Sequence, residues 1–151
     1  MRSLFYPWVY LCLLLGATSA LAGNDLAIKA TLIWGCDEEK PSDPKLKPVS
    51  PELAKRLRGI FKWKHYFEVK NESAKVADKN VKKFVLSDKC TVEVKNDGKT
   101  YNAKLFGEGK LLKAIDQPVK PGEDMVLAGD DPKNMTAWFV ILTTQPQPDL
   151  H

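Results

Sequence analysis

Few side chains in this 151-residue chain have the chemistry to act on a ligand, and most crowd into one stretch. His65 is the one histidine apart from His151 near the end, and the cysteines are Cys12, Cys36 and Cys90. Lone cysteines with so few histidines do not make the four-ligand nitrogen and sulfur set of a zinc site. No serine stands in a G-x-S-x-G elbow. A Cys–His nucleophile needs a free thiol. Phe106-Gly107-Glu108-Gly109-Lys110 holds a G-x-G-K string without the spacing of a phosphate loop, so it reads as a hairpin turn. Asp130, Asp131 and Asn134 could offer oxygens to Ca²⁺, but not in the order of an EF-hand loop. No catalytic residue, metal or cofactor is expected from these patterns.

The basic, aromatic stretch Ser50 to Lys70 is the better candidate. Phe61, Trp63, His65, Phe67 and Val69 alternate with Lys62, Lys64, Tyr66, Glu68 and Lys70. A period of two predicts a half-buried strand, with Lys62, Lys64, Tyr66 and Lys70 together on its wet side. Lys82 and Lys83, near in sequence, extend the expected cationic surface. Lys55 to Lys83 holds ten Lys and Arg against three Asp and Glu, a local +7, while the flanks are mildly acidic. An electrostatic partner would therefore be anionic and local. Trp34, Trp63 and Trp138 could form a carbohydrate platform, but all fall on core-facing stripes.

These residues need a compartment and a scaffold. Met1-Arg2-Ser3 is a short positive segment, Leu4 to Leu15 an apolar run too short to span a bilayer, and Ala20-Leu21-Ala22 a small-residue cleavage site. Residues 1–22 therefore read as a signal peptide cleaved after Ala22, and the chain as secreted or periplasmic. Cys12 leaves with that leader, and an exporting route favours a Cys36–Cys90 disulfide. No later stretch reaches transmembrane length. Asn71-Glu72-Ser73 and Asn134-Met135-Thr136 are glycosylation sequons, relevant only in a eukaryote.

Leu26 to Trp34 alternate as a first strand, with Cys36 further along the same face. Asp37 to Val49 carries three prolines and reads as an extended loop. Ser50 as N-cap, Pro51 at the first turn and the Leu53, Leu57, Ile60, Phe61 stripe predict a helix ended by Gly59. Asn71 to Asn80 is polar and aperiodic. Cys90–Phe106 is a hairpin about Asp97-Gly98, expected to be a type I′ turn. Met125 to Ala128 is a short strand, and Trp138 to Leu142 is apolar on both faces, as at a sheet centre. Gln145 to His151 is expected to be a disordered tail.

About eight short strands and one helix predict a mainly β fold: an antiparallel β-sandwich or partly open barrel with the helix packed on it, a single domain over 23–144. The expected role is an exported, non-enzymatic binding or scaffolding module that meets an anionic polysaccharide, an envelope component or an acidic protein surface. The export leader argues against nucleic acid. The alternative is a small secreted enzyme with a site assembled from dispersed carboxylates and His65.

Overall fold

A computed structural model of the chain describes residues 25–38, 43–131 and 136–145. The expected leader, Cys12, Asn134 and the tail beyond Gln145 lie outside the described residues. Among those residues, nine strands form two antiparallel sheets, and the architecture is a sandwich, not a closed barrel. The larger sheet runs β2 (Lys47–Pro48), β3 (His65–Val76), β1 (Leu26–Cys36), β9 (Thr136–Thr144), β8 (Asp124–Asp131). The smaller runs β4 (Val81–Val85), β5 (Cys90–Asn96), β6 (Thr100–Gly107), β7 (Lys110–Pro118). The helix, α1, spans Pro51–Ile60. No described helix is long and apolar enough to cross a membrane.

The β1 alternation sorts side chains between two cores. Leu26, Ile28, Ala30 and Leu32 meet Phe84, Val92, Val94, Ala103 and Leu105 between the sheets. Ile33 faces the other way, into a smaller core with Leu57, Trp63, Tyr66 and Phe139. The β9 run Phe139 to Leu142 is buried throughout because it borders both cores. The smaller sheet covers one side and α1 the other. Asn96 ties the smaller sheet to the larger. It is fully buried, its Nδ2 donates to the Val76 carbonyl (2.9 Å), and its Oδ1 accepts from Gly98 N–H (2.9 Å).

Several expectations change on contact with this geometry. Cys36 and Cys90 are buried free thiols, not a disulfide. Cys36 ends β1 of the larger sheet, where its thiol donates to the Glu38 carbonyl (3.5 Å). Cys90 begins β5 of the smaller sheet and packs into the main core. In the β5–β6 turn only Gly98 takes a positive φ (89°), whereas type I′ needs two such residues. Polar residues 71–76 are strand, because β1 supplies the hydrogen-bonding edge and Ala74 and Val76 reach the core. Gly59 does not end α1. The helix continues to Ile60, and Phe61 caps it in extended conformation, its N–H bonded to the Leu57 carbonyl (2.7 Å).

Candidate functional site

The helix and the four residues after it build the basic end of the sandwich. Ser50 caps α1 by accepting from Leu53 N–H (3.3 Å), and Pro51 stands at its first turn. Leu57 is the buried residue of the helix, and Leu53 and Phe61 pack beside it. Ile60, expected on the same stripe, is 65% exposed. Arg56 Nη1 reaches Asp124 Oδ2 on β8 at 2.8 Å, so the helix is tethered as well as packed.

Residues 61–64 are not strand. The chain bends at Phe61 and Lys64, and the Trp63 indole lies against Gly35 on β1. A Cβ at Gly35 would lie 3.0 Å from both Trp63 Cδ1 and Phe139 Cε2, so the close approach depends on glycine. The Phe61 and Phe139 rings pack beside it, tilted by 41° with centroids 4.2 Å apart. Over 61–64 the half-buried Phe61 and buried Trp63 do alternate with exposed lysines, but outside any strand.

The expected wet face of four residues separates into three places. Lys62 and Lys64 are exposed at the end of the sandwich. Lys62 Nζ sits 4.9 Å above the Trp63 ring, a cation–π contact that holds the ammonium at the surface. The Lys64 backbone N–H donates to Asp37 Oδ1 (3.2 Å), which fixes the chain while its side chain extends into solvent. Tyr66 is not on that face. It is buried under α1, and its hydroxyl donates to the Leu57 carbonyl (3.4 Å). Burial raises its pKa, while the Trp63 backbone and the Arg58 charge pull it down.

Lys70 is displaced by a β-bulge. Leu32 pairs with Lys70 but Ile33 pairs with Glu68, leaving Val69 as the extra residue. The bulge reverses the alternation, so Tyr66 and Lys70 point to opposite faces of β3. Lys70 Nζ donates to the Val85 carbonyl of β4 (3.0 Å), and Lys82 approaches Glu72 at 3.9 Å. These lysines staple one edge of the sandwich. Lys83 lies opposite Glu93 in the smaller sheet. None of the three joins Lys62 and Lys64.

Nearest to them along the chain is Arg58, in the last turn of α1, with Lys55 one turn earlier. Both are exposed. The negative end of the helix dipole favours cations at Arg58. Among the described residues, Lys55, Arg58, Lys62 and Lys64 have no carboxylate within ion-pair distance, in contrast to Arg56. The helical spacing of Lys55 and Arg58 was visible in the sequence.

Of the groups that an enzyme would use, the described residues bring His65 and Cys36 side by side. His65 is half-buried and is the cross-strand partner of Cys36. Burial pushes the Cys36 thiol up, partly offset by the Glu38 backbone and reinforced by the Glu38 and Asp37 charges. Burial pushes Cys90 up to about 11. Both thiols thus stay protonated at neutral pH, the opposite of an activated nucleophile. Among the described residues, no three of His, Cys, Asp and Glu gather to hold a metal ion. Trp34 and Trp138 are half-buried and Trp63 is buried, so they do not make an open platform. Asn71, the described sequon residue, lies exposed on β3 beside Glu68, to which its Nδ2 donates. Set against family models, curated proteins and solved structures, the chain finds no match.

Proposed function

We propose that the chain is an exported, non-enzymatic binding module that meets an anionic partner through the basic end of the sandwich. Lys55, Arg58, Lys62 and Lys64 supply the charge. The observation that carries this reading is the set of exposed cations over residues 55–64 with no carboxylate partner among the described residues. Paired surface charges are largely neutralised locally. Unpaired ones project a field over roughly a Debye length, about 8 Å at physiological salt. The base of Leu57, Phe61, Trp63 and Phe139 fixes the backbone that carries them, so binding has side chains left to order but not the chain. Export rests on the leader read in residues 1–22. An acidic polysaccharide, an envelope component or an acidic protein surface has the matching chemistry.

The test is retention on a sulfated polysaccharide resin as salt is raised. Arg58→Glu, Lys62→Glu and Lys64→Glu combined should elute at much lower salt than the parent. A control with Lys83→Glu, Lys95→Glu and Lys104→Glu changes net charge equally on the smaller sheet. Equal loss in both variants would make the effect one of net charge and sink the assignment to this site.

A further inference from the structure

The start of β7 presents two leucines to solvent, and a bulge is the reason. Leu111 is 55% and Leu112 52% exposed. Neighbours on a regular strand point to opposite faces, so one of such a pair would ordinarily reach the core. Here Phe106 pairs with Leu111 but Leu105 pairs with Lys113, which leaves Leu112 as the extra residue of β7. Gly107 makes room for it: a Cβ there would lie 2.6 Å from Leu112 Cδ1. Leu112 thus leans across the glycine and keeps its outer half in water.

The tip that carries them is held in place. Gly107 pairs with Lys110 across a two-residue loop in which Glu108 (φ 51°) and Gly109 (φ 79°) both take positive φ, the type I′ pattern. The Glu108 N–H donates to the Lys89 carbonyl (2.8 Å), so the loop before β5 braces the turn. Lys110 and Lys113 flank the leucines and Lys89 stands beside the turn, all three exposed. Asp88 and Glu108 are the acidic residues of these two loops.

Area and charge decide what covers the two leucines. Their exposed halves amount to on the order of 100–200 Å² of apolar surface. Each side of a standard protein interface buries roughly 800 Å². A protein partner needs a face, and this is a point. A bilayer accepts a point, because its acyl boundary needs no matching shape, and lysine stems lie along apolar surface while their ammonium groups reach phosphate. We infer that the β6–β7 tip docks peripherally on a phospholipid surface, with Leu111 and Leu112 in the acyl boundary and Lys110 and Lys113 on headgroup phosphates. The attachment is weak and reversible, since two leucines bury less than a single acyl chain does. It uses none of the cations at residues 55–64.

Co-sedimentation of the secreted, leader-free chain with vesicles of phosphatidylcholine and phosphatidylglycerol in equal parts tests this. The parent should pellet with the vesicles, and Leu111→Ser with Leu112→Ser should weaken binding by at least about tenfold. The same pair of changes should leave elution from the sulfated resin at the parent's salt concentration, since it removes no charge. Hydroxyl-radical footprinting of the parent should find Leu111 and Leu112 shielded by the vesicles and open without them. A parent that stays in the supernatant at every lipid concentration overturns the inference, while the anionic-partner reading keeps its own resin test. So does vesicle binding that the serine changes leave intact, or shielding of the two leucines without lipid, which would assign them to a second copy. Should the serine variant misfold, the footprint of the parent still decides.

Discussion

Removing the side chain of Leu57 tests the link between the small core and the basic end. Leu57 is 1% exposed and packs among Ile33, Trp63, Tyr66 and Phe139. Leu→Ala at a buried site costs about 2–5 kcal/mol, the spread reflecting how far the cavity collapses. Here α1 lies at the surface and can settle in part despite its Arg56–Asp124 tether, which favours the lower half, about 2–3 kcal/mol. That is a large share of an ordinary stability of about 5–15 kcal/mol. Ile60→Ala in the same helix is the control. Its side chain is 65% exposed, so the change should stay within about 0.5 kcal/mol. Urea unfolding followed by tryptophan fluorescence measures both, since Trp63 sits in the affected core. Leu57→Ala should also weaken resin retention, although it removes no charge, because Arg58 and Lys62 lose their footing. Equal midpoints for the two variants would refute the claim that Leu57 anchors the helix.

Stability should fall at alkaline pH. Burial pushes Cys90 up to about 11, and burial followed by the Glu123 and Asp124 charges pushes Tyr101 up to about 12. The unfolded chain ionises these groups at lower pH, so it sheds protons first. Stability is therefore intact below about pH 9 and is lost as pH climbs toward 12, by about 3 kcal/mol per group at most. Urea midpoints across that range check it, and Cys90→Ala should flatten part of the slope. Gly35→Ala should cost about 1–3 kcal/mol and shift the fluorescence of Trp63, because the added methyl meets Trp63 and Phe139 at 3.0 Å. Adding a thiol reductant should leave Tm unchanged, as Cys36 and Cys90 are unpaired; a lower Tm would restore the bridge.

Why some elements were legible in sequence and others were not is a matter of range. The β5–β6 hairpin needs only an Asp-Gly turn and two alternating runs, all within Cys90–Gly107. The start of α1 needs Ser50 and Pro51, whose capping chemistry acts within one turn. The apolar run in β9 announces burial on both faces without saying what covers it. The polar end of β3 had no local signal, since its strand character comes from pairing Leu26 with Val76 and Ala30 with Glu72, over forty residues away. The cysteines went wrong for the same reason. Compartment chemistry speaks for a bridge, but whether two thiols meet is decided by which sheet each strand joins.

The candidate site fails and succeeds at two residues. Val69 is one extra residue in β3, and nothing in the local alternation marks it. Yet it sends Tyr66 under the helix and Lys70 across to β4. Gly35 is equally silent in a pattern search. Its missing side chain is what admits Trp63 against β1, while Lys62 and Lys64 lie at the end of the helix that carries Arg58 because they follow it in the chain. Alternation counts side chains on one strand. The surface that a partner meets is set by where that strand begins, and here β3 begins at His65, four residues after Phe61.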